Sequence, residues 1–239
     1  MSKFKLSGWM VEALIIAAGV IILGLCIKGG IDNFVNKDRV VTVKGLCEKE
    51  VPANKVTWPI VTKEMGNDLP ALYAKINSTN AAVVAFLKQN GLTDKEITVN
   101  PPVLVDKNAN EYNYNERAAE RYYVKSVITV TSDQVEKVRG IIAKQGELLR
   151  QGIAIVADSY ENSIRYDYTS FLDMKPKMME EAIEKAKATG EQFAKQCGSE
   201  LNKIVTADQG QFSIEDRDEN TPHIKVLRVV TTITYSLKN

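Results

Sequence analysis

The chain has very little histidine, and His223 is the single one among 239 residues. A Ser-His-Asp or Cys-His catalytic site would have to use this residue, and a metal site built from several histidines is excluded within one chain. His223 follows Pro222 at the end of a polar stretch, and we interpret it as a loop residue. We therefore predict no catalytic residues and no enzymatic activity.

Cysteine is also scarce, with three residues at Cys26, Cys47 and Cys197. The sequence contains neither a Cys-x-x-Cys pair nor a glycine-rich phosphate loop, and we predict no metal site and no cofactor. Cys47 and Cys197 are far apart in sequence, and each falls on an apolar face of its predicted element. Two buried free thiols are favoured, and a disulfide between them stays open.

One acidic stretch has the spacing of calcium ligands, since Asp216, Asp218 and Asn220 follow one another at intervals of two. An EF-hand loop continues with a glycine and ends with a glutamate. Thr221 and Leu227 occupy those two positions here. We interpret this stretch as a solvated charged turn.

No charge of one sign dominates the chain, because 31 lysines and arginines face 30 aspartates and glutamates. The net charge is +1, and there is no long basic block. Proteins that bind nucleic acid carry a basic surface that neutralises phosphates. We therefore predict no nucleic-acid partner.

The chain has one long hydrophobic run, from Trp9 to Ile27, with Glu12 as its only charge. A helix over 9–27 spans roughly 28 Å, close to the hydrocarbon thickness of a bilayer. We predict a transmembrane helix there, with the lipid bilayer as its partner. The predicted anchor residues are Trp9, Leu14, Ile15, Ile16, Val20, Ile21, Ile22, Leu23, Leu25 and Ile27.

Two kinds of cleaved leader are alternatives to this anchor. A secretory leader has a shorter apolar stretch, about 7–15 residues, followed by small residues at the cut, and no Ala-x-Ala pattern follows here. A lipoprotein leader is cut before a cysteine and needs a small residue where Leu25 precedes Cys26. We favour a retained anchor. Its orientation stays open, because lysines and arginines flank both ends of the run in similar number.

Beyond the run, periodic patterns alternate between strands and helices. The segments "RVVTVKGLCEKE" and "NKVTWPIVTKE" are apolar at every second residue, which predicts two half-buried strands. Pro59 indicates an edge position or a bulge in the second strand. The inward residues are Val41, Val43, Gly45 and Cys47 in the first strand and Val56, Trp58 and Ile60 in the second.

Three helices are predicted further along the chain. The first is capped by Asp68, the second starts at Ser132, and the third is capped by Asp173 with Pro176 near its start. The apolar stripe of the first helix is Leu69, Leu72, Tyr73, Ile76, Val83, Phe86 and Leu87. The apolar face of the third is Met179, Ala182, Ile183, Ala186, Gly190, Phe193, Ala194 and Cys197.

These elements predict an α+β fold of mainly antiparallel sheets packed with about three helices. A short tail over 1–8 precedes the membrane helix, and a linker over 28–39 follows it. The domain covers 40–239, with a hint of two related halves.

Tyrosines cluster in the predicted hairpin, and tyrosine is enriched at protein interfaces. The candidate interface residues are Tyr112, Tyr114, Tyr122 and Tyr123. The alternative interpretation is that they are ordinary strand tyrosines and a solvated hairpin tip.

The order of several segments resembles one known family, the SIMPL domain. "VVTVKGLCEKEVPANKV" resembles its opening strand and turn, and "LKQNGLTDKEITV" resembles its helix ending in glycine before a strand. "ERYYVKSVITVTSDQVEKV" resembles its strand-to-helix step, and "AIEKAKATGEQFAKQCGSELNKI" resembles its alanine-rich helix. "VVTTITYSL" resembles its closing strand, so the likeness covers roughly residues 40–237.

The resemblance implies a bacterial cell-envelope protein. Members of the family are secreted or membrane-anchored, some assemble into large hollow rings, and some are linked to oxidative-stress defence. No catalytic residues are established for the family, so none is carried over. For this chain the resemblance implies a single-pass inner-membrane protein with its large domain in the periplasm.

Together these observations predict a scaffolding protein that assembles into a ring- or cage-like homo-oligomer on the membrane surface. The alternative is an envelope binding module that captures a small ligand or a protein partner. An enzyme is the third interpretation.

Overall fold

The computed structural model describes residues 8–35, 39–109, 119–156 and 162–238. The helices are α1 (Gly8–Val35), α2 (Leu69–Gln89), α3 (Val135–Ala143), α4 (Gly146–Arg150) and α5 (Phe171–Gln196). The strands are β1 (Val40–Pro52), β2 (Lys55–Gly66), β3 (Ile97–Val99), β4 (Val103–Asp106), β5 (Tyr122–Ser132), β6 (Arg165–Asp167), β7 (Glu200–Asp216) and β8 (Ile224–Lys238). This mixture of helices and antiparallel sheets confirms the predicted α+β class.

The strands form two sheets. The larger has the order β3-β5-β2-β6, with β4 also paired to β5, and the smaller has the order β1-β8-β7. In the larger sheet β2 and β5 are antiparallel along their length, from Val56 opposite Ser132 to Gly66 opposite Tyr122. The segment "EITVNPPVLVD" contributes β3 and β4 on either side of Pro101 and Pro102.

Contacts divide the chain into two compact units. The first unit takes Met1–Glu48, Lys175–Ser213 and Arg228–Asn239, and the second takes Lys49–Met174 and Ile214–Leu227. The units are therefore not successive halves of the sequence, because the first is assembled from both ends of the chain and one internal segment.

The core of the second unit lies between the larger sheet and its helices. Alternate residues of β2 point inward, and Val56, Trp58 and Ile60 are buried as predicted. Val83 and Leu87 of α2 pack on them, because alternation along a strand and a 3.6-residue period along a helix both turn apolar residues to one side. The remaining buried members are Phe86, Leu92, Ile128, Val130, Val135, Val138, Ile141, Leu148 and Ile153.

Helix α2 begins where the sequence predicts. The Asp68 carboxylate accepts a hydrogen bond from the backbone N–H of Ala71 at 3.4 Å, and a proline lies in the first turn. Part of the predicted stripe is wrong, because Leu69 and Tyr73 are exposed. Leu69 is the first residue of the helix and Tyr73 lies at the margin of the buried arc, so neither is enclosed by the sheet.

Helix α5 differs from its prediction at its start and on its face. It begins at Phe171, so Asp173 lies in the first turn rather than at the cap, and Pro176 lies inside the helix. Ile183, Phe193 and Cys197 are exposed, contrary to the prediction. The buried line is Met178, Ala182, Ala186, Gly190 and Ala194.

The narrow face of α5 has a physical cause in strand β1. A Cβ atom added to Gly45 would lie 1.8 Å from the carbonyl oxygen of Ala182. The helix backbone thus approaches the strand so closely that only small side chains fit between them. Larger apolar residues at the flanks, such as Ile183, stay outside the contact.

Pro59 lies in a stretch of β2 that has a partner on one side only, among the residues described. Lys55–Thr57 pair with β6, and Thr62 forms an isolated bridge with Ile155. Pro59 falls between these two contacts, and the prediction of an edge position or a bulge there stays a prediction.

Candidate membrane anchor and candidate binding cleft

The most exposed apolar surface of the described chain is helix α1. All ten predicted anchor residues lie on it, with exposed fractions between 52% at Ile27 and 79% at Trp9. None of the window that could span a membrane is buried. A helix that is apolar on all sides and covered by no other element has the surface that a bilayer solvates.

The apolar part of α1 is long enough to cross a bilayer. It runs over Val11–Asp32, 22 residues, which corresponds to roughly 33 Å of helix. Length and composition suit both a membrane anchor and a signal sequence near the N-terminus.

The helix also extends beyond the predicted 9–27 to Val35, so residues 28–35 are helical rather than part of a linker. No proline interrupts them, and the two glycines at 29 and 30 weaken a helix without ending it, by about 1 kcal/mol each.

The predicted tyrosine interface is only partly within the structure. Tyr112 and Tyr114 lie outside the described residues. Tyr122 and Tyr123 open strand β5 as neighbours, so their side chains project to opposite faces of the sheet. The structure therefore does not join these two rings into one surface patch.

Both described tyrosines have local partners. Tyr122 packs against the buried cluster of Leu72, Ile76 and Val124, and the guanidinium of Arg121 lies 4.8 Å from its ring centroid. The ammonium of Lys63 lies 5.8 Å from the ring centroid of Tyr123. Tyr122 thus serves the core of the second unit, as the alternative interpretation of these tyrosines expects.

A charged pair joins the end of β4 to the start of β5. The Arg121 guanidinium donates to both carboxylate oxygens of Asp106, with a shortest distance of 2.7 Å. This two-pronged contact is the main reason that the pKa of Asp106 lies below its usual value. The Arg121 backbone N–H donates to the side-chain oxygen of Asn67 at 2.8 Å, which ties β5 to the end of β2.

A cleft of about 640 Å³ lies within the second unit. Its walls come from the edge strand β6 and from the segment that joins β7 to β8. The lining residues are Ser163, Ile164, Arg165, Tyr166, Asp167, Asp216, Pro222 and Lys225. Two of these carry positive charge and two carry negative charge, so the lining has no net charge.

Lys225 is the most unusual residue of the cleft, because it is a buried lysine. Its ammonium forms an ion pair with the carboxylate of Asp216, whose side chain is 48% exposed. A lysine is rarely buried unless it is paired, so Asp216 accounts for its position.

Tyr166 forms the other side of the cleft. Burial raises the pKa of its phenol above the usual value, so the hydroxyl stays protonated to a higher pH than that of an exposed tyrosine. The ring of His223 meets the Tyr166 ring edge-on, with centroids 6.1 Å apart. His223 therefore packs on a tyrosine in the second unit.

The acidic turn after β7 does not arrange ligands for calcium. The Asp218 carboxylate accepts hydrogen bonds from the backbone N–H groups of Asn220 and Thr221, at 2.9 and 2.8 Å, and Asp216 is paired with Lys225. Asp218 is thus used to close a turn. Among the described residues, no group of three or more His, Cys, Asp or Glu side chains could hold a metal ion.

The cysteines are free thiols, and Cys47 and Cys197 are not joined. Cys47 is buried as expected, and its thiol donates to the Glu181 carboxylate at 3.2 Å. Cys197 is exposed, so the prediction of a second buried thiol is wrong. It lies just past the end of α5, outside the line of small residues that faces β1.

Sequence reasoning missed the cleft. Arg165 and Asp167 lie about fifty residues from Asp216 and Lys225 in sequence, and no local motif links them. A charged residue at an inward position of β8 was the one available signal, because Lys225 shares its face with Leu227 and Val229.

The described parts thus define an α+β protein with one N-terminal helix that is able to span a membrane. The model of the SIMPL family, described as a protein of unknown function (DUF541), matches residues 41–226. The match covers well over half of the chain, and the chain belongs to this family. No curated protein matches the sequence.

Proposed function

We propose that this protein is a membrane-anchored scaffold of the bacterial cell envelope. In this proposal α1 is retained as a single transmembrane anchor in the inner membrane, and the SIMPL domain lies in the periplasm. The domains associate with one another into a ring- or cage-like homo-oligomer on the membrane surface. The role is structural, and any contribution to oxidative-stress defence follows from the assembly rather than from a catalytic site.

The observation that carries the proposal is the exposure of the membrane-spanning window of α1. An apolar stripe that belongs to a protein core is covered on one side, whereas none of this window is buried by the residues that the structure describes. Burying about twenty such residues in lipid holds a helix in a bilayer. Self-association is supported by strand β7, which lies at an edge of the smaller sheet and is largely exposed.

The test combines intact mass with particle mass. The full-length protein is extracted in mild detergent, and the same sample is measured by intact mass spectrometry and by light scattering. An uncut N-terminus in a particle of many subunits is the expected result. A chain that begins after Ile27, or a monomeric particle, contradicts the anchored scaffold.

The placement of the domain has its own test. Protease added to cells whose outer membrane has been permeabilised is expected to digest the domain while a cytoplasmic marker stays intact. Protection of the domain until the inner membrane is broken contradicts a periplasmic position.

The polar cleft of the second unit supports a second candidate, an envelope binding module. Its paired positive and negative charges suit a small zwitterion, whose two charges are each matched by an opposite charge in the cleft. Free amino acids are the probe, titrated against the full-length protein in detergent. Saturable binding that is lost in both Arg165→Gln and Asp167→Asn is the expected result for this function, and no saturable binding excludes this class of ligand.

A further inference from the structure

Strand β7 lies at one edge of the smaller sheet, yet it does not have the surface of an ordinary edge strand. In β1, at the other edge of the same sheet, residues 40–47 alternate between exposed and buried. In β7, residues 202–209 are exposed on both faces. This part of β7 therefore has no cover on either face among the residues described.

The backbone of β7 also has its hydrogen-bonding groups available at the edge. The Lys203 N–H donates to the Ser236 hydroxyl, and that hydroxyl donates to the Lys203 carbonyl, each at 3.2 Å. The main chain of Lys203 therefore faces β8. Because successive residues of a strand turn their N–H and C=O groups to alternate sides, those of Ile204 and Thr206 are directed to the open edge.

The exposed side chains at this point are apolar and β-branched. Ile204 is 58% exposed and Val205 is 54% exposed, and Thr206 follows them. Natural edge strands are normally protected by charges, prolines or bulges, but between 204 and 207 there is neither a charge nor a proline. An uncharged edge of this kind is a template for another strand.

We propose that β7 pairs antiparallel with β7 of a second copy of this chain, about a two-fold axis at Val205. The inference rests on the proposed self-assembly and names one of its interfaces. A two-fold contact uses the same patch on both subunits, so the strand has to be complementary to itself.

The register about Val205 satisfies both the backbone and the side chains. It places Ile204 opposite Thr206 of the second copy, and both turn their hydrogen-bonding groups to the open edge. It places Val205 opposite Val205 of the second copy, so apolar β-branched residues meet at the centre. Asn202 then lies opposite Asp208, where an amide can donate to a carboxylate.

Neighbouring registers are less favourable. An axis at Ile204 places Glu200 opposite Asp208, which brings like charges together, and this is destabilising. An axis at Thr206 places Ile204 opposite Asp208, which sets an apolar side chain against a charge. The axis at Val205 avoids both conflicts.

The register is tested by single cysteines in the full-length protein. Cys26 and Cys197 are replaced by serine, and buried Cys47 is kept. Val205→Cys places the two thiols directly opposite each other, in a residue pair that is not hydrogen-bonded. The Cα atoms of such a pair lie about 4.5 Å apart, which is within reach of a disulfide. Ile204→Cys and Thr206→Cys are the matched controls, because identical residues there are diagonal neighbours about 7–8 Å apart.

The expected result under mild oxidation in membranes is a covalent dimer of Val205→Cys that forms at least about tenfold faster than that of either control. Equal rates at all three positions, or faster cross-linking of a control, overturn the register. If the wild-type chain forms large particles while Val205→Cys gives no preferential dimer, the β7 interface is wrong and the proposed assembly stands. A wild-type monomer overturns the assembly itself.

A second variant tests the same edge without cysteine. Ile204→Lys is expected to weaken association at least about tenfold, because each contact then holds two new charges beside its centre. Leu172→Lys is the control, since Leu172 is 67% exposed and lies outside β7. Unchanged association of Ile204→Lys, or an equal loss in Leu172→Lys, contradicts the interface.

Discussion

Replacement of Gly45 by alanine is expected to displace helix α5 from strand β1. The added Cβ would lie 1.8 Å from the carbonyl oxygen of Ala182 and 2.8 Å from the backbone nitrogen of Ala186. Both are backbone atoms of a helix, so neither can rotate away as a side chain could. Real Cβ atoms essentially never lie closer than 3.0 Å to such an atom. The helix therefore has to move away by at least about 1.2 Å, the difference between 3.0 and 1.8 Å.

The magnitude follows from the contact that is lost. Extra methyl groups in a packed core cost about 1–3 kcal/mol when side chains can adjust. At Gly45 the obstacle is backbone, and a retreat of α5 also loosens the buried line of Ala182, Ala186 and Gly190. We therefore expect a loss of about 3 kcal/mol, at the upper end of that range.

The assay is urea denaturation in mild detergent, followed by circular dichroism. With a slope of about 2 kcal/mol per M, the expected loss lowers the midpoint by about 1.5 M without a change in slope. Gly140→Ala is the control, because an added Cβ there meets nothing within 4 Å and alanine favours the helix by about 0.5–1 kcal/mol. A Gly45→Ala midpoint equal to that of the wild type would refute the close packing of α5 on β1.

Three further predictions concern local features. Asp68→Ala is expected to cost about 1 kcal/mol through loss of the α2 cap, whereas Asp68→Asn keeps most of the stability in the same denaturation assay. The pKa of Asp218 is lowered from 3.8 to about 2, first by a hydrogen bond from the Thr221 hydroxyl and also by one from Arg217. The carboxylate therefore contributes its full stabilisation above about pH 4, and this stabilisation is lost as the pH falls toward 2. Acid denaturation of Asp218→Asn is expected to lack this loss, and a profile equal to that of the wild type contradicts the argument. Asp216→Ala is expected to destabilise the fold by about 1–3 kcal/mol because it leaves the ammonium of Lys225 buried without its partner. Lys225→Met is expected to cost less, because it removes the buried charge and leaves a carboxylate that water can reach. If thermal denaturation shows Lys225→Met to be the less stable of the two variants, the burial argument is refuted.

Strand positions in the core could be predicted because a strand has only two faces. Once apolar residues alternate, as in Val56, Trp58 and Ile60, the buried set is determined. The cap at Asp68 was predictable for a similar local reason, since the first turn of a helix needs an acceptor for its N–H groups. These features depend on a few adjacent residues and not on the rest of the fold.

The face of α5 and the exposure of β7 could not be predicted in this way. A helix has a continuous circumference, and its buried arc depends on how near the partner approaches. Gly45, more than a hundred residues from α5, decides that Ala182 is buried and Ile183 is not. The cleft could not be predicted for the same reason, because Lys225 lines it only together with Asp216 and with the edge strand β6, which is distant in sequence.

The anchor and the open strand edge reinforce one another physically. Two strands that pair in dilute solution lose translational freedom at a cost of about 4–15 kcal/mol, which a short edge contact offsets poorly. When both chains are held in one bilayer, their effective concentration rises without any new contact. The β7 contact is therefore expected to weaken when the protein is highly diluted in detergent and to persist in the membrane.

This dependence can be measured with the Val205→Cys chain. In detergent at high dilution, with at most one chain in each micelle, cross-linking is expected to be slow, whereas in vesicles holding many chains it is expected to be fast at the same bulk protein concentration. The Ile204→Cys chain reports random collisions in both settings. If Val205→Cys cross-links equally fast in micelles and vesicles, the strand contact is strong enough by itself, and the anchor serves location rather than assembly.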